Sequence, residues 1–413
     1  MTDPLSRLTG AAGAGSLAGV VVLDVSRVVA GPYCSQILAD LGATVIKVEN
    51  PNDPDYTRGF PPFLNSGDEE FSAFYAQYNR GKLGITIDLG NEDGKRVLRD
   101  LVGKADILVE NFRPGTMDKL GVGYSTLREV NPRLVYTAIS GYGQTGPLSR
   151  RPAYDNTAQA AGGLWSMNGY PDQPAVRVGT IVGDLSATLF GVIGTLAALR
   201  HAERTGEGQL VDVAQTDSVV AMTESAVVDY TVTGKVAGRL GNQHPFVRPY
   251  ELFPCKDGHV FFGGYTDKFW RLTCDMFHEP EIADDPEIAT MAQRFDNEVY
   301  ERRVRPLLNR WFADHTKAQL EEMAGDRIPM TAVKSIDEVV ADDQINARDM
   351  IVDVNYDDLG TLRMFGQPIK LSQTPSDPAQ RANRVGEHTD VVLQALADYS
   401  ADDIAQLRAT GAI

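Results

Sequence analysis

Between residues 19 and 215 short apolar runs alternate with amphipathic stretches, and that alternation limits what the chain can fold into. The run over 19–25 is apolar and bounded by small residues, the pattern of a strand buried on both faces. It is followed by the loop SRVVAGPYC, a helical stretch SQILADLGA whose Gly42 suits the C-terminal cap, and a second strand, TVIKVEN. That is one βαβ unit. The pattern predicts further strands at ITIDL (85–89), DILVEN (106–111), LVYTAIS (134–140) and QLVDVAQ (209–215), with helices such as 92–105 between them. The fold class is therefore α/β, a doubly wound parallel sheet covered on both faces. After about residue 225 the texture turns loop-rich, with a strand at HVFFGG and helices over 266–277, 297–314 and 317–325. A smaller α+β domain is predicted over 226–335. The tail, 336–413, returns to helix and strand, with a hairpin signal at DDLG (357–360) and a helix at HTDVVLQALADY. The predicted division is 1–225 with 336–413, and 226–335.

Composition removes several function classes. A formal charge of −17 opposes sequence-independent binding to nucleic acid or to an anionic membrane. Cys34, Cys255 and Cys274 are widely spaced and the six histidines are scattered, so neither a disulfide framework nor a metal site is expected. The first residues carry an acid and a proline early and no apolar core of a signal peptide, and Leu185–Leu199 is short for a membrane span. A cytoplasmic location is the expectation. The first strand-to-helix turn has one glycine in place of GxGxxG. Glu49 closes the second strand, where a dinucleotide-binding acid would sit. A nicotinamide dehydrogenase is disfavoured on the missing glycines.

The stretch 176–214 carries the most chemistry. Leu185, Leu189, Val192, Ile193, Leu196 and Leu199 recur at helical spacing, and Gly191, Gly194, Ala187, Ala197 and Ala198 would admit a close neighbour. Asp184 is placed immediately before this helix. As an N-cap it would accept bonds from first-turn amides, and the helix dipole would favour its ionised form. Two readings stand on the residues alone: a capping aspartate, or a carboxylate aimed at an activated acyl group.

The block VVLDVSRVVAGPYCSQILADLGATVIKVENP resembles the family III CoA-transferases, the group of formyl-CoA transferase and carnitine CoA-transferase. So do NRGKLGITIDL, VENFRPGTMDKLGV, SGYGQTGP, PAYDNTAQAAGG, VGD, RTGEGQLVDVA and GEHTDVVL, in family order over nearly the whole chain. The resemblance implies a large domain built from both chain ends, a small inserted domain and two interlocked chains in a homodimer. It implies a CoA thioester as substrate, a carboxylic acid as acceptor and no permanently bound cofactor. Asp184 falls at the nucleophile position, which implies an acyl-aspartyl anhydride followed by an aspartyl-CoA thioester. Ile87, Asp88, Leu89 and Gly90 fall where the family holds the adenosine end. Asn111, Phe112, Arg113, Lys119 and Tyr154 match further CoA-binding positions. Gly183, or Gly263 with Gly264, could supply oxyanion amides. Asn50 and Val29 stand where relatives carry a basic residue and a glutamine, and GNQHPFVR (241–248) replaces a tetraglycine loop. These departures favour the carnitine branch. A 2-methylacyl-CoA racemase, which would need a histidine where Tyr154 stands, and a non-catalytic CoA-binding protein are the competing readings.

Overall fold

A computed structural model describes residues 15–66, 69–356 and 359–413. The N-terminal stretch and the first half of the DDLG turn lie outside the described residues. Contacts divide the chain into two units, one of residues 1–164, 177–231 and 343–413, the other of 165–176 and 232–342. The second unit takes in 165–176, which the sequence reading left with the large domain.

The first unit is built on a six-stranded sheet. Its elements in chain order are β1 (Val21–Asp24), α1 (Ala30–Asp40), β2 (Thr44–Glu49), β3 (Leu83–Thr86), α2 (Glu92–Val102), β4 (Ile107–Glu110) and β5 (Val135–Ser140). Then come α3 (Asp155–Ala161), α4 (Val182–Thr205), β6 (Leu210–Ala214) and α5 (Gln215–Ala221). The strand order is β3-β2-β1-β4-β5-β6, and every neighbouring pair is parallel. Successive residues of each central strand point to opposite faces. Leu23, Ile46 and Leu108 pack with Val97, Leu98 and Leu101 of α2, while Val22, Val45 and Ile107 pack with Cys34 and Leu38 of α1 and Ala198 of α4. Burial on both faces explains why these strands read as apolar runs.

The order in which strands are added to the sheet reverses between β1 and β4, so the loops after these two strands diverge and leave a crevice at their carboxyl ends. Strand boundaries matter here. The strand expected over 85–89 occupies Leu83–Thr86, which places Ile87–Gly90 in the loop beyond its carboxyl end. Helix α4 lies close against β5 and α1 because its inner face is small and hydroxylated. A methyl group on Gly191 would come 3.0 Å from Ile139 Cδ1, Thr195 Oγ1 meets Thr137 Oγ1 at 2.6 Å, and Thr188 donates to the Ala30 carbonyl at 2.8 Å. By length and composition α4 could cross a membrane, yet half of that apolar window is buried here.

In the second unit β7 (Glu251–Cys255), β8 (Gly258–Phe262) and β9 (Met330–Ala332) form an antiparallel sheet, packed by Trp270, Tyr300, Leu308 and Phe312. The chain then returns to the first unit. Strands β10 (Ile351–Asn355) and β11 (Thr361–Phe365) pair as the hairpin that DDLG signals. Helix α6 (Thr389–Ala397) follows, and its flanks cover the edge of β3. The Gly84 amide donates to His388 Nδ1 at 3.1 Å, the His388 amide to Gly84 O at 2.8 Å, and the Asp88 amide to Ala412 O at 2.8 Å. An exposed parallel edge is closed by the chain's own end.

Beneath the β1–α1 loop lies a buried charge cluster. Lys82 Nζ donates to Asp24 Oδ2 (2.8 Å), Pro32 O (2.7 Å), Tyr78 O (3.0 Å) and Asn79 Oδ1 (2.8 Å). Lys47 Nζ bonds the Ser26 carbonyl and lies 3.8 Å from Asp24 and 3.7 Å from Asp55. Burial alone would raise the Asp24 pKa, but the two lysines outweigh it and hold the carboxylate well below its ordinary range. Burial pulls Lys82 down to about 8 against the opposing pull of Asp24. Asp24→Ala would leave two buried cations without their shared partner. It is expected to cost about 3–5 kcal/mol, read as a lower urea midpoint at pH 7. An unchanged midpoint would show that the cluster does not hold the unit together.

Candidate active site

The crevice holds two adjoining cavities. The first, about 310 Å³, is lined by Ile87, Asp88, Leu89 and Gly90 from the loop after β3, by Asn50, Asp53 and Asp55 from the loop after β2, and by Phe112 and Leu120. The second, about 350 Å³, is lined by Val28, Val29 and Ala30, by Asn111, Phe112 and Arg113 after β4, and by Ser140 and Gly141 at the end of β5. Tyr56, Tyr154, Asp184 and Gln215 complete it. Arg27 and Phe112 belong to both walls, so the two spaces adjoin.

The loops that shape them are tied across the reversal point. The Arg27 amide donates to Asn111 Oδ1 at 2.8 Å, and Asn111 Nδ2 donates to the Arg27 carbonyl at 2.7 Å. Both ends of the Asn111 amide thus hold backbone. Next to it Val28 adopts φ 73°, a left-handed conformation that a β-branched residue rarely takes. The Val28 amide is held by Asp55 Oδ2 at 2.9 Å. Asp88 accepts from Asn50 Nδ2 at 3.0 Å and from the Gly90 amide at 2.8 Å, which fixes the loop over the first cavity. Glu110, buried at the end of β4 and pushed up to about 8 by burial, accepts from the Phe112 amide at 2.6 Å.

Glu49 lines the first cavity, but its carboxylate is already engaged. Arg58 grips it through Nε at 2.9 Å and Nη2 at 2.6 Å, and the acid is almost fully buried. The Arg27 guanidinium reaches Asp53 Oδ2 at 3.0 Å, with further bonds to the Asp53 and Pro54 carbonyls. Arg113 and Lys119 are exposed. Arg113 sits on the rim of the second cavity, and Lys119 precedes Leu120 of the first.

Asp184 is not an N-cap. Helix α4 begins at Val182, which makes Asp184 its third residue, and the residue before the helix, Ile181, caps nothing with its side chain. The amides expected to stabilise Asp184 are taken by another acid. Asp155, at the start of α3, accepts from the Gly183 amide at 2.7 Å and from the Asp184 amide at 3.4 Å, and Gln159 braces its other oxygen at 2.7 Å. The expected electrostatics reverse accordingly. Burial, followed by repulsion from Asp155, pushes Asp184 up to about 7, and a hydrogen bond from Gln215 opposes the rise. Gln215 Nε2 donates to Asp184 Oδ1.

Of the sequence-predicted residues, Asp184, Asn111, Phe112, Arg113 and Tyr154 meet around one cavity, and Ile87–Gly90 around the other. Tyr154 is 72% exposed. Gly183 lends its amide to Asp155. Gly263 and Gly264 follow β8 in the second unit, where the Gly263 amide donates to Pro329 O at 2.8 Å and Gly264 packs on the Phe262 ring. Sequence reasoning missed Gln215 and Asp155. Asp155 lay inside the quoted motif PAYDN, and Gln215 is the residue at which β6 gives way to α5, a ligand-facing position in any doubly wound sheet. A partly buried carboxylate with a raised pKa, on one of two adjoining cavities, suits nucleophilic acyl transfer.

Comparison with known proteins agrees with this chemistry. A sequence model of CoA-transferase family III matches residues 17–389. The chain is 39% identical over 380 residues to a succinyl-CoA:mesaconate CoA-transferase of Haloarcula hispanica, covering 91% of this chain and 94% of that one. It is 37% identical to a succinate–glutarate CoA-transferase of Agrobacterium fabrum, covering 92% and 95%. The crystal structure of a CAIB/BAIF family protein from Brucella suis superposes with a TM-score of 0.82 at 33% identity, covering 92% of this chain and 99% of that one. The chain belongs to CoA-transferase family III.

Proposed function

We propose that the enzyme moves CoA from a short dicarboxylic acyl-CoA, of which succinyl-CoA is the leading candidate, to a dicarboxylic acid acceptor, with Asp184 as the nucleophile. The observation that carries this reading is the Asp184 carboxylate, desolvated by its surroundings and opening onto a cavity that adjoins the Ile87–Gly90 loop. The names of the relatives from Haloarcula and Agrobacterium support the choice of acids. The adenosine end of CoA occupies the first cavity. The pantetheine passes Arg27 and Phe112, and the thioester reaches Asp184.

The reaction then runs through four exchanges. Asp184 attacks the acyl carbonyl, and the carbon–sulfur bond breaks to give an anhydride and CoA thiolate. The thiolate attacks the aspartyl carbonyl, releasing the donor acid and leaving aspartyl-CoA. The acceptor carboxylate displaces the thiolate from that carbonyl, giving a second anhydride. The thiolate finally attacks the acceptor's acyl carbon, and Asp184 leaves as carboxylate. Desolvation makes Asp184 a better nucleophile than a solvated acid, and it still leaves more readily than thiolate from the same carbon because even a raised carboxylate is the weaker base. A homodimer in the cytoplasm completes the reading. Leu189 and Ile193, exposed on α4 at 49% and 62%, supply apolar surface that a second copy would cover. Sedimentation at micromolar concentration should give twice the chain mass.

Incubation with succinyl-CoA followed by hydroxylamine should label Asp184, as located by mass spectrometry. Asp184→Asn should abolish the label and lower kcat by ~10⁴-fold or more while CoA still binds. Deuterium exchange at the substrate α-carbon with no label on Asp184 would replace this reading by a racemase.

The nucleophile must be ionised, so kcat/KM should rise with pH through a single step centred near 7. Removing the neighbouring charge in Asp155→Asn keeps an acceptor for the Gly183 amide and should move that step to lower pH. A step that stays in place would show that Asp184 does not set the acid limb.

A further inference from the structure

The reaction needs a hydrogen-bond donor wherever negative charge gathers on a carbonyl oxygen, and two of the amides expected to serve are otherwise engaged. Gly183 donates to Asp155 and Gly263 to Pro329. Gln215 is differently placed. Its Nε2 already donates to Asp184 Oδ1, and among the described residues no group donates to Oδ2. We propose that the Gln215 amide is the oxyanion donor for the steps that pass through the carbonyl carbon of Asp184 itself. This rests on the reading of Asp184 as nucleophile.

The bond changes follow from which oxygen is occupied. Oδ2, with its lone pairs free, attacks the acyl carbonyl and becomes the bridging oxygen of the anhydride. Oδ1 then remains as the aspartyl carbonyl oxygen, with Gln215 still on it. When CoA thiolate attacks Cγ, the carbon–sulfur bond forms and the π electrons move onto Oδ1. As the tetrahedral species collapses, the Cγ–Oδ2 bond breaks and the donor acid leaves with that electron pair and with Oδ2. The acceptor carboxylate next attacks Cγ and thiolate departs, and charge again passes through Oδ1. In the resting carboxylate Oδ1 shares one charge with Oδ2, whereas in both tetrahedral species it carries a whole charge. The donor therefore bonds more strongly in the transition state than in the ground state. A neutral amide suits this task better than a cation, which would hold the resting carboxylate too tightly to attack.

The amide is held for the purpose. Gln215 is 8% exposed and opens α5 directly after β6. Beside it, Thr216 donates to the Gly141 carbonyl twice, from its amide at 3.1 Å and from Oγ1 at 2.8 Å. Ser218 Oγ bonds back to Ala214 O at 2.8 Å. The start of the helix is pinned to the end of β5, and no reorganisation is needed when charge appears.

Gln215→Met keeps length and volume and removes the donor, while Gln215→Asn keeps a donor on a shorter arm. In single turnovers with succinyl-CoA, two quantities are read by mass spectrometry: hydroxylamine labelling of Asp184, and covalent CoA on the protein. In Gln215→Met the labelling should persist, because the anhydride still forms, while covalent CoA should appear ~10²–10³-fold more slowly. Gln215→Asn should fall between this variant and the parent. CoA binding by calorimetry should match the parent for both. Covalent CoA forming at the parental rate in Gln215→Met would overturn the proposal. So would equal loss of labelling, covalent CoA and CoA binding, since that marks a purely structural role. Absence of labelling in the parent enzyme would instead refute Asp184 as nucleophile.

Discussion

Asp24, Lys47, Lys82 and Asp55 form a fully desolvated cluster at the carboxyl ends of β1 and β2, and the loop that shapes both cavities rests on it. Two carboxylates and two ammonium groups out of water cost several kcal/mol each before their mutual attraction is counted, so net stability is a poor explanation for such a group. Its geometry offers a better one. Lys47 binds the carbonyl of Ser26, Lys82 the carbonyl of Pro32, and Asp55 the amide of Val28. Three backbone groups within seven residues are thereby fixed by charged partners from different strands and loops. Val28 can then hold its left-handed backbone, a conformation that costs about 1–3 kcal/mol and survives only where neighbours over-determine it. An apolar replacement of similar volume would pack, but it would not direct this loop along the two cavities.

The architecture was legible in the sequence because burial on both faces writes itself into composition. Val22 and Leu23, or Ile107 and Leu108, must both be apolar when one meets α1 or α4 and the other α2. The return of the chain end to the first unit was also legible as a change of texture. Boundaries were less so. Ile85 and Ile87 look equally strand-like, yet the ladder stops at Thr86, and that difference puts Ile87–Gly90 on a cavity wall. Pairing of 165–176 with the second unit left no local trace, since it depends on contacts such as that between the Gly241 amide and Gly169 O, 72 positions apart.

The site followed the same division. The position of Asp184 came from a short motif in a recognisable order, but its environment comes from residues remote in the chain. Asp155 lies 29 positions before it and Gln215 31 positions after it. Local reasoning placed Asp184 at a helix start and concluded that it would be held ionised. A helix start does favour a carboxylate, and here the carboxylate it favours is Asp155. No spacing rule within one helix could have shown that exchange. The overall charge misleads in a similar way. A net −17 does not oppose the proposed CoA site, because exposed cations such as Arg113 and Lys119 would act at short range, where the distant acids are screened.

Asp155 therefore does two things at once to the residue beside it. By accepting the Gly183 and Asp184 amides it withdraws the positive end of α4 from the Asp184 carboxylate, and by its own charge it raises the free energy of that carboxylate when ionised. Both effects oppose ionisation of Asp184, and in the proposed reaction both would favour its attack once ionised, since a poorly stabilised carboxylate loses less on becoming an ester-like oxygen. The cost is a carboxyl group pushed up to about 7, which must lose its proton before the proposed attack. Gln215 limits that cost without cancelling the gain, because one neutral hydrogen bond stabilises half a charge on Oδ1 weakly and a whole charge strongly. Asp184, the nucleophile of the proposed reaction, is thus set between an acid that would make it reactive and an amide that would keep it available. Both partners are fixed by α3 and α5, which pack against α4 and against each other, rather than by the helix that carries Asp184.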